Sequence, residues 1–303
     1  MVDTLVGSGK HTFKVVDNWA KLPEGWSAPM AAVAIDSQDR VYGFNRGDHR
    51  VIVFDTDGNY LYDWGEGMFP FPHAIYVDKE DNVWIVERND GQIFKFTPRG
   101  ELLMSIGTKG YRSDTGADNT NFGSDGYKLV THPGEPFNMP AGVAIADSGD
   151  IFISDGYANC QVHRFSPDGK LKMSWGAPGS GPGEFRLPHG IWIDREGQVL
   201  VADRENDRVQ VFTQNGEFVT QWPAELIGPV AFYEDDDAFY VPEHNGGGFS
   251  VLSKDGETLA RWGGMKHRSC HGVSGDSKGN IYFVQPNGSE GSTGREIVKY
   301  VRQ

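Results

Sequence analysis

A short apolar run recurs six times along this chain of 303 residues. Each run ends in or near an acidic residue and is followed by a turn and a second predicted strand. Successive runs begin 42, 68, 48, 39 and 43 residues apart, at residues 33–36, 75–78, 143–146, 191–194, 230–233 and 273–276. Repetition at such a period is typical of proteins built from one repeated structural unit.

Each period holds four predicted strands. The second and third are rich in β-branched and aromatic residues, as in 83–86 and 92–96. A glycine turn such as 98–100 then leads to a last strand that often ends on tryptophan, as at Trp64. Four strands in every ~40–45 residues are the pattern of a propeller blade, and a β-sandwich has no reason to repeat at this period. The sequence therefore predicts an all-β, six-bladed β-propeller with four-stranded antiparallel blades, folded as a single domain over residues 1–303.

Two further expectations concern the ends of the chain and its one long interval. Residues 12–16 are expected to add the outer strand of the last blade beside residues 297–300, since closing the ring removes exposed sheet edges. The 68-residue interval contains an insertion over about residues 107–138 that is rich in Gly, Asp, Ser and Asn. This insertion predicts a long loop over one face of the ring.

Charge and composition narrow the classes of partner. The net charge of −14 disfavours nucleic acids and anionic membranes. The two cysteines, Cys160 and Cys270, are few for a secreted protein held together by disulfides. Residues 1–21 lack the pattern of a signal peptide, and no stretch approaches the roughly 20 apolar residues of a membrane span. We expect a cytoplasmic protein with a small-molecule partner, and the sequence leaves the oligomeric state open.

Three histidines share one position of the repeat. The residues two before each first-strand run are Ala31, His73, Ala141, His189, Gly228 and His271. First strands surround the axis of a propeller, so the histidines of alternate blades should point to one spot on the axis. Three imidazoles with an open fourth position suit catalytic Zn²⁺, and other first-row divalent ions remain open. We predict a metal site at His73, His189 and His271.

A second position of the repeat carries arginines. Thirteen residues after the start of each run stand Arg46, Arg88, Gly156, Arg204, Glu243 and Pro286, and Tyr157 comes one residue later. The loop after strand two lies on the same face as the start of strand one, so these groups should surround the metal. Arg46, Arg88 and Arg204 are predicted to bind an anionic substrate, and Tyr157 to move a proton. His163 and His244 fall off the histidine register and are expected in loops or at the surface, with His244 beside Glu243 on this face.

Five segments resemble a known family. Residues 44–49, 72–75, 154–159, 183–189 and 201–206 are similar to NHL-repeat propellers and, within them, to peptidyl-α-hydroxyglycine α-amidating lyases. That resemblance implies cleavage of a carbinolamide C–N bond to an amide and glyoxylate. It implies a catalytic zinc on His73, His189 and His271, with Tyr157, Arg46 and Arg204 as catalytic residues.

The resemblance is incomplete at the same face. The family's structural calcium uses an aspartate after the third histidine, where this chain has Gly272, so calcium is not expected. A family methionine is replaced by Ser269, the family's disulfide cysteines are absent, and Arg88 has no arginine counterpart in the family. These differences predict retained metal chemistry with a different substrate.

The predicted function is therefore a metal-dependent lyase that cleaves a C–N or C–O bond of a small anionic, carbinolamide-like substrate. Two alternatives remain. An open zinc site also generates hydroxide for a hydrolase or hydratase. A non-catalytic protein-binding propeller would use the same fold without the chemistry.

Overall fold

The computed structural model describes residues 4–16, 18–117, 125–264, 270–284 and 297–303. In these residues, six antiparallel sheets stand around an axis, and the predicted all-β, six-bladed propeller is confirmed. The innermost strands of neighbouring blades contact one another, and the sixth blade meets the first. Each blade is a meander, in which tight glycine-containing turns connect strands that are neighbours in the sheet.

The strands run outward from the axis in each blade. Blade one contains β3 (Met30–Ile35), β4 (Val41–Asn45), β5 (Val51–Phe54) and β6 (Tyr60–Trp64). Blade two contains β7 (Pro72–Val77), β8 (Val83–Glu87), β9 (Gln92–Phe96) and β10 (Leu102–Ile106). Blade three contains β11 (Pro140–Ile145), β12 (Ile151–Asp155), β13 (Gln161–Phe165) and β14 (Leu171–Trp175).

The second half of the ring follows the same order. The short parallel pair β15 (Ala177–Pro178) and β16 (Glu184–Phe185) precedes blade four. Blade four contains β17 (Pro188–Ile193), β18 (Val199–Asp203), β19 (Arg208–Phe212) and β20 (Phe218–Gln221). Blade five contains β21 (Tyr233–Glu234), β22 (Phe239–Glu243), β23 (Gly248–Leu252) and β24 (Thr258–Gly263). Blade six contains β25 (Gly272–Gly275), β26 (Ile281–Val284), β27 (Ile297–Arg302), β2 (His11–Val16) and β1 (Leu5–Ser8).

The chain closes the ring by pairing its two ends. Strand β2 pairs antiparallel with β27, with Val15 opposite Tyr300, which confirms the predicted closing strand. The additional strand β1 makes blade six five-stranded. The outermost edge of this blade therefore comes from the N-terminal segment.

The inner strand of blade five departs from the prediction. Residues 230–233 were expected to form it, but the regular strand is Tyr233–Glu234, preceded by an isolated bridge between Pro229 and Glu243. Pro229 and Pro242 lack the N–H donors that a continuous ladder needs. Because this strand is shortened, the residues of blade five that are equivalent to those of the other blades stand at different spacings in the sequence.

The hydrophobic core is divided among the blade junctions. Six clusters of buried apolar residues each join two neighbouring sheets, as between Phe44 and Ile75 in blades one and two. A seventh cluster joins Met139, Tyr157 and Leu187 beside the axis. Face-to-face packing of alternating strands explains why apolar residues recur with period two.

The predicted insertion lies between β10 and β11. Its described part is irregular apart from a 3-10 helix at Gly126–Leu129, and residues 118–124 lie outside the described residues. A second 3-10 helix, Arg204–Asn206, follows β18. Among the described residues, no helix has the length and apolar character needed to cross a membrane.

Candidate metal centre

The structure brings the three predicted histidine ligands together on the axis. His73 and His189 are the second residues of β7 and β17, and His271 directly precedes β25. Their potential ligand atoms lie within 4.8 Å of one another. All three side chains are buried, at 0%, 2% and 6% exposure.

The three blades that contribute no histidine to this group orient the imidazoles. The Nδ1 atom of His73 donates to the carbonyl of Ala141 at 2.7 Å. His189 Nδ1 donates to Val230 O at 2.8 Å, and His271 Nδ1 donates to Ala31 O at 2.7 Å. Blades three, five and one therefore fix the tautomer and direction of the rings in blades two, four and six. Carbonyl partners of this kind commonly orient metal-ligating histidines.

Each of the three imidazole rings presents one nitrogen lone pair to the site. Because each Nδ1 carries the proton, each Nε2 is an acceptor. His271 Nε2 is buried and has no hydrogen-bond partner among the described residues. Burial lowers the pKa of His73, His189 and His271 well below the ordinary value, reinforced by nearby imidazoles or arginines. Neutral, converging imidazoles with an unsatisfied acceptor fit a bound metal cation.

Tyr157 lies between two of the imidazoles. Its hydroxyl oxygen is 3.0 Å from His73 Nε2 and 3.1 Å from His189 Nε2. One O–H proton can serve only one of these acceptors at a time. Arg204 Nη1 donates to the same oxygen at 3.2 Å. The hydroxyl therefore stands between the imidazole cluster and a cation.

A repeated backbone hydrogen bond defines which residues are equivalent around this face. The N–H of the first residue after strand two, or of the second residue in blade three, donates to a carbonyl two residues before the histidine position. The donor and acceptor pairs are Arg46–Pro29, Arg88–Phe71, Tyr157–Met139, Arg204–Leu187 and His244–Gly228. In the described part of the chain, the residues at this equivalent position in blades one to five are therefore two arginines, a tyrosine, a third arginine and a histidine. We call them the ring residues.

This ring corrects the predicted register in two blades. In blade three Tyr157, and not Gly156, is the equivalent of Arg46. In blade five His244 replaces Glu243, and Val230 replaces Gly228 as the equivalent of Ala31. In blade three one additional residue, Gly156, separates strand β12 from the ring residue. In blade five the shortened inner strand is the cause, since it changes the spacing on which the prediction relied. Pro286, the sixth predicted member, lies outside the described residues, as does Ser269.

Arg46 and Arg88 share one aromatic surface. Their guanidinium carbons lie 4.5 Å and 3.9 Å from the centre of the Phe71 ring. Arg46 Nε donates to Pro72 O at 3.3 Å, and no carboxylate is among the charges that act on it in the described residues. Burial lowers the pKa of both guanidinium groups. Both would be stabilised by an incoming anion.

Arg204 is hydrogen-bonded to the carboxylate of the next residue. Its Nε donates to Glu205 Oε1 at 2.8 Å, and its side chain is almost fully buried. Although burial disfavours its charge, Tyr157 and Glu205 raise the pKa of Arg204 above its ordinary value. Its charge is therefore already partly compensated.

A row of buried polar groups beneath this face was missed in the sequence. The last residues of the second strands accept backbone N–H groups from the segments that lead into the inner strands. The pairs are Phe71 N with Glu87, Asn138 N with Asp155, Arg186 N with Asp203, and Ile227 N with Glu243. The signal was available in three of these four blades, since Glu87, Asp203 and Glu243 each directly precede a ring residue.

Of two further histidines, one differs from expectation. His163 is fully buried in blade three, where it hydrogen-bonds with Asp155 and Ser174. The alternation of strand β13 directs its side chain inward, so the expectation of a loop or surface position was wrong. His244 is half-buried on the site face, and burial lowers its pKa to about 4.

Comparison with known proteins identifies the relatives of this chain. The NHL repeat family model matches residues 137–165 and 185–212. Peptidyl-alpha-hydroxyglycine alpha-amidating lyase 1 of Drosophila melanogaster is 37% identical over 208 residues, which cover 64% of this chain. This match spans about a third of the length of that lyase, 35%.

A second relative and a solved structure agree on the repeat and the fold. NHL repeat-containing protein 3 of Mus musculus is 30% identical over 257 residues, covering 79% of this chain and 69% of that protein. A structure described as a gluconolactonase from Xanthomonas campestris aligns over 100% of this chain and 96% of its own, with a TM-score of 0.66 at 14% identity. At that identity the likeness concerns the fold alone. The chain, a six-bladed propeller with NHL repeats in blades three and four, belongs to the NHL-repeat family.

Proposed function

We propose that this protein is a metal-dependent lyase that cleaves the C–N bond of a small carbinolamide bearing a carboxylate. The observation that carries the proposal is the convergence of three neutral Nε2 atoms beside a tyrosine hydroxyl and a ring of arginines. Relatives named as amidating lyases support the same class of reaction. The substrate class is an N-acyl-α-hydroxyglycine, and the products are an amide and glyoxylate.

His73, His189 and His271 would hold the metal, with zinc or another first-row divalent ion as the occupant suited to three imidazoles. When bound, such an ion supplies Lewis acidity to a substrate oxygen. The carbonyl partners of the Nδ1 atoms keep the three rings oriented without a rearrangement on binding. Burial of the site strengthens its electrostatic interactions with a substrate.

Arg46 and Arg88 would bind the substrate carboxylate. Stacking on Phe71 restricts both guanidinium planes, which lowers the entropy lost when an anion is bound. A guanidinium matches a carboxylate through two parallel N–H donors. An anion here would also offset the mutual repulsion of two partly desolvated cations.

Tyr157 and Arg204 would carry out the proton transfer. As the C–N bond of the carbinolamide breaks, the hydroxyl group loses its proton and becomes the aldehyde of glyoxylate. The departing nitrogen gains one proton and becomes the amide, so the reaction consumes no water. The Tyr157 hydroxyl would relay this proton, and Arg204 would orient it through its Nη1 donor.

The first test is turnover of an N-acyl-α-hydroxyglycine by the metal-loaded protein, followed as release of glyoxylate and amide. Tyr157→Phe should lower kcat by about 10²–10⁴-fold, which is the usual contribution of a positioned acid or base. Tyr111→Phe is the matched control, since Tyr111 is exposed in the insertion. Full activity in Tyr157→Phe would contradict the assigned role.

The second test concerns the metal. His189→Ala should lose bound metal in elemental analysis and lose activity, because two remaining imidazoles hold an ion weakly. His132→Ala, at a half-exposed histidine of the insertion, should retain both. Purified wild-type protein that takes up no divalent metal would refute the proposal.

A further inference from the structure

A chain of hydrogen bonds connects the insertion to the centre. Tyr127, in the 3-10 helix of the insertion, donates from its hydroxyl to Glu205 Oε2 at 3.0 Å. The other oxygen, Oε1, accepts from Arg204 Nε at 2.8 Å. Arg204 Nη1 in turn donates to the Tyr157 hydroxyl at 3.2 Å. Both oxygens of one carboxylate thus serve this connection.

The same insertion holds the turn that carries Tyr157. Thr115 Oγ1 donates to Ala158 O at 2.7 Å. A Cβ atom at Gly126 would lie 2.8 Å from Tyr157 O, so backbone meets backbone at this point. Asn159 and Gly134 exchange two hydrogen bonds of 3.1 Å each. These contacts fix the insertion against the Tyr157 turn independently of Glu205.

The orientation of Arg204 depends on Glu205. The Arg204 side chain is almost fully buried, and its guanidinium plane is set by the Nε bond at one edge. Glu205 is only partly buried, so its carboxylate would be free to rotate if Tyr127 did not hold its second oxygen. Rotation would move the Arg204 Nη1 donor relative to the Tyr157 oxygen.

We infer that Tyr127 and Glu205 are positioning residues, through which the insertion sets the geometry of Arg204 and Tyr157. The inference rests on the proposed function for its catalytic consequence. The insertion thereby restrains Arg204 and Tyr157, the two side chains that take part in the proton transfer. We call this restraint the brace. It follows that hydrogen bonds remote from the substrate control the chemical step.

The test compares Tyr127→Phe with wild type in the N-acyl-α-hydroxyglycine assay. We expect kcat to fall about fivefold, the scale of one hydrogen bond to a charged group, with KM nearly unchanged. A purely structural role would change both constants together or neither. Tyr111→Phe, which removes an exposed hydroxyl from the same insertion, should match wild type. Equal kcat in Tyr127→Phe and wild type overturns the inference.

A double-mutant cycle tests the route through Glu205. Glu205→Gln should lower kcat more than Tyr127→Phe, because it also removes the charge beside Arg204. If Tyr127 acts through Glu205, adding Tyr127→Phe to Glu205→Gln should lower kcat no further. Additive losses in the double variant would overturn the proposed route. Unfolding midpoints of all four proteins identify any variant that does not fold.

A separate readout distinguishes failure of this inference from failure of the proposed function. Wild-type protein that does not turn over the substrate refutes the function alone. The brace is then judged by amide hydrogen exchange at Arg204 and Asp207, which flank Glu205 and whose N–H groups donate to Leu187 O and Arg204 O. Faster exchange in Tyr127→Phe than in Tyr111→Phe supports the brace, and equal exchange overturns it.

Discussion

At the scale of single residues, the three site arginines have different electrostatic surroundings although the repeat makes them equivalent. Arg204 is paired with Glu205, whereas Arg46 and Arg88 stack on Phe71. Burial lowers the pKa of Arg46 and Arg88, whereas Tyr157 and Glu205 raise the pKa of Arg204, so an incoming anion would stabilise the first two charges more. We therefore propose that Arg46 and Arg88 bind the anion and that Arg204 orients Tyr157.

This division predicts the effect of Arg46→Lys. Lysine keeps the charge but lacks the planar pair of donors that matches a carboxylate. We expect KM for an N-acyl-α-hydroxyglycine to rise at least tenfold, about 1.4 kcal/mol, while kcat changes less. Steady-state kinetics measures this directly. Arg195→Lys, at an exposed turn that pairs with Asp236, serves as the control, and an unchanged KM for Arg46→Lys would contradict the assignment.

At the scale of strands and turns, neighbouring blades interlock through tryptophan and glycine. A Cβ atom at Gly100 would lie 2.7 Å from the Trp64 ring, and one at Gly216 would lie 2.9 Å from the Trp175 ring. Each tryptophan ends the last strand of one blade, and each glycine lies in the last turn of the next. The two repeated signals in the sequence are therefore two halves of one contact.

Gly216→Ala should consequently destabilise the protein in two ways. The added methyl would meet the Trp175 ring, and the backbone φ of +75° is unfavourable for alanine. Strain and overpacking together predict a loss of about 2 kcal/mol in the free energy of unfolding. Denaturant unfolding measures the loss.

Gly183→Ala separates the two contributions. Gly183 has nearly the same φ, +76°, but nothing within 4 Å of the position of a Cβ atom. Its substitution should cost only the backbone strain, about 1 kcal/mol. Equal losses in Gly183→Ala and Gly216→Ala would show that the tryptophan contact contributes nothing.

The strand pattern also shows which parts of the site the sequence could predict. Regular blades place His73 and His189 at the same strand position, so counting residues located them correctly. Counting failed in blade five, because Pro229 and Pro242 interrupt its ladder, and Glu243 instead of His244 was assigned to the ring position. The links from Tyr127 to Glu205 join residues 78 apart in sequence, and no periodicity encodes such a contact.

At the scale of the whole molecule, the junction that closes the ring resembles an internal one. Ser277 donates through its N–H and Oγ to the two oxygens of Asp39, at 2.8 Å and 2.6 Å, between blades six and one. Ser37 does the same with Asp81, at 2.8 Å and 2.7 Å, between blades one and two. The ring therefore closes with the same contact that joins consecutive blades, supplemented by strand β2.

The closing strand contains a buried histidine that should make closure sensitive to pH. His11 begins β2 and is 3% exposed, and neither ring nitrogen has a hydrogen-bond partner among the described residues. Burial, together with the charges of Lys10 and Arg302, lowers its pKa, while Asp235 and Asp237 act in the opposite direction. The folded protein therefore keeps His11 neutral at a pH where the unfolded chain binds a proton.

The sign of the effect follows from this difference. Below the unfolded pKa of about 6.5, the unfolded state binds more protons at His11 than the folded state, so stability falls as pH falls. In His11→Phe this contribution disappears, and the aromatic contact with Tyr240 is kept. Denaturant unfolding at pH 7, 6 and 5 should show a shallower loss of stability in His11→Phe than in wild type. All other titratable groups are the same in both proteins, so the difference reports His11 alone, and parallel pH profiles would show that closure is not coupled to its protonation.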